Sequence, residues 1–245
     1  MTDNHLVIII PCYNEAERLH IKEFILFLEK IEGVKLFFVN DASTDTTQTV
    51  LEGLKKKKPE QVELLTNEKN KGKAESIRLA VNQVLKDSWS NKFAYLDADL
   101  ATSLEECYSY LTYFEDGKQF VFASRILKIG SIVERKFSRF LFGRIIATFI
   151  SNILDIKVYD TQCGCKLFTK EIAKIAFNEP FLSRWLFDVE IFSRLLKHYG
   201  KVKALKLMEE VPVKSWIDQG ESKVRLSYFF KLWIDLYKIW KSHRT

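Results

Sequence analysis

Phe93-Ala94-Tyr95-Leu96-Asp97-Ala98-Asp99 runs four apolar residues into two carboxylates one residue apart. The apolar run reads as a buried strand, along which alternate side chains point to opposite faces. Asp97 and Asp99, with one residue between them, therefore lie near one another at the strand's end. Two hard oxygen donors there suit Mg²⁺ or Mn²⁺, which combine carboxylates with waters and substrate phosphates. A cation so held neutralises a departing diphosphate. A lone Asp-x-Asp is more often a solvated turn, so the meaning of this pair rests on its neighbours.

Those neighbours alternate between strand and helix. Leu6 to Ile10 is an all-apolar run ended by Pro11, the mark of a strand buried on both faces. Glu15 to Ile31 has helical spacing, with Leu19, Phe24, Leu28 and Ile31 near one face. Val34 to Val39 is a second strand, and Asp41-Ala42-Ser43-Thr44-Asp45 caps a helix through Leu54. Glu63 to Thr66 and Phe93 to Leu96 are strands on either side of a helix over Lys73 to Leu85. A helix over Leu104 to Phe114 and a strand over Phe120 to Ala123 follow. The pattern predicts an α/β fold: an open, mostly parallel sheet with right-handed crossovers, flanked by helices. Such sheets bind ligands outside the carboxyl ends of their strands. Here those ends carry Pro11 to Glu15, Asn40-Asp41, Asp97 to Asp99 and Ser124-Arg125, so the unusual polar residues share one edge.

The 245 residues have no linker, repeat or low-complexity tract, and read as a sheet domain over 1–223 with an amphipathic helix at 224–245. A net charge of +6 favours acidic partners. Arg125, Lys128, Arg135, Lys136, Arg139 and Arg144 cluster, opposed only by Glu134. No nucleic-acid reader motif accompanies them, so nucleic acid is not expected as a partner. Cys12, Cys107, Cys163 and Cys165 lack redox or zinc spacing and read as reduced thiols of a cytosolic protein. No signal peptide is visible ahead of Leu6. Phe137 to Ile156 is the longest apolar stretch, but Arg139, Arg144, Asn152 and Asp155 argue against a membrane span. A dinucleotide fingerprint is absent, and Asn70-Lys71-Gly72-Lys73-Ala74 is not a Walker A.

Val224 to Lys241 reads as an amphipathic helix. Leu226, Phe229, Trp233, Leu236, Tyr237 and Trp240 are expected on one face, with Ser227, Lys231, Asp235 and Lys238 opposite. Its aromatic face suits either a membrane interface or packing on the sheet domain. Beside the Phe137–Ile156 helix it would form a platform on a membrane surface, as in a cytoplasmic, peripherally attached protein. The oligomeric state has no signature in the sequence.

Several segments then stand out in order. They are Val7-Ile8-Ile9-Ile10-Pro11-Cys12-Tyr13-Asn14-Glu15, Val39-Asn40-Asp41-Ala42-Ser43-Thr44-Asp45, Asn70-Lys71-Gly72-Lys73 and Tyr95-Leu96-Asp97-Ala98-Asp99. Ala123-Ser124-Arg125, Asp160-Thr161-Gln162-Cys163-Gly164-Cys165-Lys166-Leu167-Phe168, Arg184-Trp185-Leu186-Phe187-Asp188-Val189-Glu190 and Gly220-Glu221-Ser222-Lys223 complete the set. With them the chain resembles the inverting family-two glycosyltransferases of GT-A fold, over nearly its whole length. The Asp160 and Arg184 segments are the narrower ones and point to the dolichyl-phosphate (polyprenyl-phosphate) glucosyltransferase branch. Members often have Asp at position 40 and Gly at 42, 74 and 80, where this chain has Asn40, Ala42, Ala74 and Ala80; Ala restricts the backbone. The N-terminal membrane anchor of the eukaryotic enzymes has no counterpart ahead of Leu6.

The resemblance implies a nucleotide-sugar donor, most simply UDP-glucose, a polyprenyl-phosphate acceptor and Mg²⁺ or Mn²⁺. Pro11, Tyr13 and Glu15 would flank base and ribose, Asp41 would hydrogen-bond the base, and Lys73 would sit near the donor. Asp97 and Asp99 would hold ribose and metal, Asp99 as the more direct ligand. Lys223 would close a loop over the diphosphate. Arg125, Arg135 and Arg139 are the candidates for the acceptor phosphate, whose oxygens match a guanidinium fork. A lipid phosphate is already anionic and needs no general base, so Asp160 and Asp188 are assigned to orientation. Two alternatives stay open: a glycan hydroxyl acceptor with Asp160 or Asp188 as base, and an idle membrane-associated scaffold that binds nucleotide sugar.

Overall fold

The computed structural model describes residues 5–134, 137–217 and 228–244. Its frame is the predicted alternation. Strands β1 (Leu6–Cys12), β2 (Val34–Asn40), β3 (Val62–Thr66) and β4 (Lys92–Leu96) are all parallel, with β1 between β2 and β4. Between them run helices α1 (Ile21–Lys30), α2 (Thr47–Lys57) and α3 (Lys73–Val84). Strand alternation divides the core into two layers. Val7, Ile9, Phe37, Val39, Phe93 and Tyr95 face α3 on one side. Leu6, Ile8, Ile10, Leu36, Phe38 and Ala94 face α1 and α2 on the other.

After β4 come α4 (Leu104–Ser109), α5 (Thr112–Glu115) and β5 (Phe120–Ser124). The single helix expected over Leu104 to Phe114 breaks at Tyr110-Leu111. Ser109 and Thr112 hydroxyls bond the Glu106 and Ser109 carbonyls, which loosens a helix locally. The first helix also starts later than expected, because Glu15 to Arg18 is a turn whose Glu15 N–H donates to Thr47 Oγ1.

The second half holds β6 (Ile132–Glu134), α6 (Phe137–Leu154), β7 (Cys165–Thr169), α7 (Lys170–Ala176), α8 (Phe187–Tyr199) and α9 (Lys201–Leu207). It closes with β8 (Met208–Pro212), β9 (Ser215–Ile217) and α10 (Tyr228–Arg244). The sheet order is β3-β2-β1-β4-β7-β5-β8. Strand β7 enters antiparallel to both neighbours, pairing Leu96 with Cys165 and Phe122 with Lys166. It therefore begins at the rim where β4 and β5 end. Strands β6 and β9 form a separate two-stranded ribbon.

Helix α10 corrects one expectation. Leu232, Leu236 and Ile239 are its buried apolar residues, and Asp235, expected on the polar face, is buried with Ser183 Oγ donating to it at 2.7 Å. Trp233, Ile234 and Tyr237 are exposed. The packed stripe thus lies about one residue away from the aromatic one. Leu226 and Ser227 lie outside the described residues, as does the side chain of Phe229. Among the described residues no helix is long and apolar enough to cross a membrane.

Candidate active site

Loops leaving β1, β2 and β4 build one rim, and each contains a non-glycine residue in the left-handed region: Asn14, Ala42 and Leu100. Asp41 N–H donates to the Cys12 carbonyl at 2.9 Å, and Asn14 N–H to Ser43 Oγ at 3.0 Å, so the first two loops are tied together. Asp45 accepts from the Thr47 and Ala16 N–H groups. Pro11 and Glu15 are half-buried, while Tyr13 presents an exposed ring.

Asp41 is buried, and its carboxylate organises the 67–72 loop. Oδ1 accepts from Asn67 Nδ2 and Lys71 N–H, each at 2.8 Å, and Oδ2 from Gly72 N–H at 2.7 Å. Its visible role is to shape the loop that opens α3 at Lys73. Gly72 has φ of 88° and lies under the Arg184 stem, which a Cβ would approach at 3.4 Å.

Asp97 and Asp99 share the β4 rim. Asp97 Oδ1 is ion-paired with Lys73 Nζ, and Asp99 Oδ2 meets Arg18 Nη2 at 3.1 Å. Arg18 also reaches Glu15 at 3.3 Å, joining the β1 loop to the β4 loop. Burial and the neighbouring Asp97 raise the Asp99 pKa above its ordinary value, against the opposing Ala101 N–H, Arg18 and Lys73. Burial works against the Lys73 charge, but Asp97, Asp188 and Asp99 outweigh it and raise its pKa. Two partly exposed carboxylates whose charges are met by single side-chain cations fit a divalent ion that takes its other ligands from substrate and water. They do not make an all-protein cage, and no three-residue metal cluster occurs among the described residues.

Across the cleft, Arg125 grips Asp160 in bidentate fashion, with Nε to Oδ2 at 2.6 Å and Nη2 to Oδ1 at 2.9 Å. Burial opposes the Arg125 charge but Asp160 outweighs it, raising that pKa; burial likewise opposes Asp160, and Arg125 holds its carboxyl well below the usual range. Beneath them Glu210 of β8 accepts from Asp160 N–H at 2.8 Å, Tyr159 N–H at 3.0 Å and Ser124 Oγ at 2.7 Å. Asp188, at the start of α8, is buried against Lys166 Nζ at 2.7 Å and the Tyr95 hydroxyl. Lys166 is fully buried and donates also to the Cys163 carbonyl at 2.7 Å.

Some of these groups open into one cavity of about 400 Å³, whose lining includes Asp97 but not Asp99, Asp41 or Tyr13. Its ionic side carries Lys73, Asp97, Arg125, Asp160, Arg184 and Asp188. Its apolar side is Gly143, Ile146, Ala147 and Ile150 of α6 with Leu232 of α10.

The glycosyl transferase family 2 pattern matches residues 7–176, more than half of the chain. This chain belongs to glycosyl transferase family 2. It is a glycosyltransferase, and within the family it resembles the dolichyl-phosphate beta-glucosyltransferases. That of Drosophila melanogaster is 32% identical, covering 96% of this chain and 74% of its own. The human one is 30% identical, covering 93% and 77%. Glucosyl-3-phosphoglycerate synthase from Mycobacterium tuberculosis, in complex with Mn²⁺, UDP-glucose and phosphoglyceric acid, shares the GT-A fold. Its TM-score is 0.68 at 14% identity, over 98% of this chain and 79% of that one.

In this glycosyltransferase, Pro11, Tyr13, Glu15, Asp41, Lys73, Asp97, Asp99, Arg125, Asp160 and Asp188 all fall at the carboxyl edge of the sheet or the start of a facing helix. Arg135 and Lys223 lie outside the described residues, as does the side chain of Arg139. The sequence reading named Arg144 only in the basic cluster and Arg184 and Lys166 only within family segments, giving none a role, and did not reach Arg18 or Glu210. A lysine at the centre of Cys165-Lys166-Leu167-Phe168 was the available signal, since a charge in an apolar run is tolerated only with a buried partner.

Proposed function

We propose that this glycosyltransferase moves glucose from UDP-glucose to a polyprenyl phosphate of the dolichyl kind, inverting the anomeric centre in a single displacement. The observation that carries the reading is the cavity itself, which joins an ionic mouth to an apolar wall of α6 and α10. An anionic head on a hydrocarbon tail matches both. The names of the related dolichyl-phosphate beta-glucosyltransferases give glucose as the sugar and dolichyl phosphate as the acceptor.

The chain's own groups divide the work. Tyr13 offers a ring beside the Asp41-organised loop, where the base lies. Asp99 and Asp97 would hold Mg²⁺ or Mn²⁺, which would supply positive charge for the departing diphosphate. Lys73 stands at the same place and stabilises the leaving group. The acceptor's second pKa of about 6 leaves an anionic oxygen ready to attack, so no proton needs to be removed. Asp160 and Asp188 are consistent with this, being engaged by Arg125 and Lys166. Their role is to fix the cleft wall, and proximity supplies the rate. The family resemblance assigns Lys223 to the diphosphate and Arg135 and Arg139 to the acceptor's phosphate.

The membrane reading rests on exposed apolar residues: Leu141, Phe142, Ile145 and Phe149 of α6, and Trp233, Ile234 and Tyr237 of α10. Phe149 and Trp233 meet edge to face at 4.9 Å, so the two helices present one surface. In this reading the C-terminal helix packs one side into the core and rests the other on the cytoplasmic leaflet. The deciding experiment incubates the protein with a panel of nucleotide sugars, Mg²⁺ or Mn²⁺, and a short-chain polyprenyl phosphate, reading products by mass. Glucosyl-phosphoryl-polyprenol is expected from UDP-glucose; transfer only to hydroxyl acceptors would remove the proposal.

A further inference from the structure

We infer that Asp235 of α10 is a positioning residue for the reaction, acting through Ser183 on the 182–186 loop that walls the cavity. This deepens the proposed function; it rests on it for the substrates used, not for the contact itself. Arg184, Trp185 and Leu186 of the loop line the cavity, and Phe187 and Asp188 carry that wall into α8. The Arg184 stem lies over Gly72 beside Lys73, and Asp188 meets Lys166 and the Tyr95 hydroxyl. A shift of this loop therefore moves one wall of the cleft close to where Lys73 and Asp97 stand.

The loop is held from two helices. From α8, Glu190 accepts Leu182 N–H at 2.9 Å and Ser183 N–H at 2.8 Å. From α10, Asp235 accepts the Ser183 hydroxyl at 2.7 Å. A serine hydroxyl has one proton to give and two lone pairs to offer. With its proton sent to Asp235, Ser183 Oγ turns its lone pairs to Trp185 N–H at 3.2 Å and Leu186 N–H at 3.0 Å. The Asp235 carboxyl thus fixes the rotamer from which Ser183 closes the turn leading into α8.

Packing alone does not account for an acid at this position. Asp235 is 2% exposed and Ser183 1%. Leu232, Leu236 and Ile239 are buried on the same side of α10, and a carboxyl among them is costly unless it is hydrogen-bonded. A leucine would simply have continued that stripe. The acid replaces apolar contact with a directed bond to one loop, and buried polar contacts of this kind hold a single arrangement. Trp233 and Ile234, just before it, are exposed, so α10 reaches from the surface to the cavity wall within one turn.

The test compares D235L, S183A and D235N with the wild type in the full chain, melting curves showing that each is folded at the assay temperature. Should D235L fail to fold, S183A carries the same comparison. With UDP-glucose and a short-chain polyprenyl phosphate, kcat/KM for the acceptor should fall in D235L and S183A by about tenfold or more. The upper bound is the roughly hundredfold that an ångström of misplacement costs. The UDP Kd should be unchanged. D235N keeps an oxygen towards Ser183 and should retain most of the activity. Fluorine NMR of the fluorotryptophan-labelled chain reads the loop itself, Trp185 being identified by the loss of its signal in W185F. That signal should move or broaden in D235L and S183A and stay in place in D235N. An unmoved Trp185 signal in the Leu and Ala variants overturns the inference, and so does their wild-type kcat/KM or an equal loss in D235N. If the wild type makes no glucosyl-phosphoryl-polyprenol while the Trp185 signal responds as expected, the proposed function falls and the anchoring of the loop stands.

Discussion

Gly164→Ala tests the placement of the acidic pair without touching it. A Cβ on Gly164 would fall 1.9 Å from Asp97 Oδ2, 2.3 Å from Cγ and 2.8 Å from Oδ1. Contacts below 3.0 Å are not sustained, so the carboxylate has to shift by about 1 Å, the scale on which catalytic geometry is lost. The backbone cannot yield instead. The Gly164 carbonyl accepts Asp97 N–H at 3.0 Å, and Cys163 and Cys165 on either side are fully buried. The Gly164 φ is not left-handed, so alanine is allowed there and the effect is steric. The Asp97 side chain is 39% exposed and can swing into the cleft. The stability loss is therefore that of mild overpacking, about 1–3 kcal/mol, or a few degrees of Tm in a chain of this size. Catalysis should suffer more: a displacement of that size lowers kcat/KM for the donor on the order of a hundredfold. Initial rates at varied UDP-glucose and saturating Mn²⁺, with melting curves beside them, measure both. Because the substitution acts through the carboxylate, adding G164A to D97A should cost almost nothing further. Wild-type kcat/KM in G164A, or full additivity with D97A, would refute the reasoning.

Ala42 sits at φ of 56°, where a side chain costs about 1–2 kcal/mol. A42G should relieve this against a glycine chain-entropy penalty of about 0.5–1 kcal/mol, and the urea midpoint should rise accordingly. K166M leaves Asp188 buried without its cation and should destabilise by about 3–5 kcal/mol, with D188N in the same chain recovering part; urea denaturation reads both. The Asp160 pKa lies lower in the folded protein than in the unfolded chain, since burial is outweighed by Arg125. The stability it contributes is complete above about pH 4 and is lost as pH falls through the depressed folded value. The Tm gap between wild type and D160N should therefore narrow on acidification below about pH 4. Chelating divalent ions with EDTA should abolish transfer and weaken UDP binding, with Mn²⁺ or Mg²⁺ restoring both.

The first half of the fold was legible because its strands are apolar on both faces and its helices have clean periods. Leu6 to Ile10 and Phe93 to Leu96 announce themselves. The second half hides its strands. In β7, Lys166 interrupts the apolar run, and only its buried contact with Asp188 makes it admissible. In β8, Glu209 and Glu210 look like solvent, yet Glu209 pairs with Lys118 and Glu210 holds backbone N–H groups of the cleft. In α10 the aromatic residues drew the eye, while Leu232 and Ile239 do the packing. The strand-end rule collected Tyr13, Asp41, Asp97 and Arg125 on one rim. It had no access to Arg144 and Arg184, which come from a helix and a loop that only the tertiary fold brings there.

The reversed entry of β7 means that the excursion over 125–164 leaves the sheet and returns to it at the same rim. Arg125 and Asp160, close to its two ends, clasp each other, so the entropy of closing that long loop is met by one ion pair and one strand pairing. In the proposed function, whatever meets the acceptor on α6 then belongs to an insert on the frame that would hold the donor. In that reading acceptor preference can diverge largely by rewriting the insert, with Leu232 of α10 and the loop before α8 supplying the rest of the cavity, provided the clasp is kept.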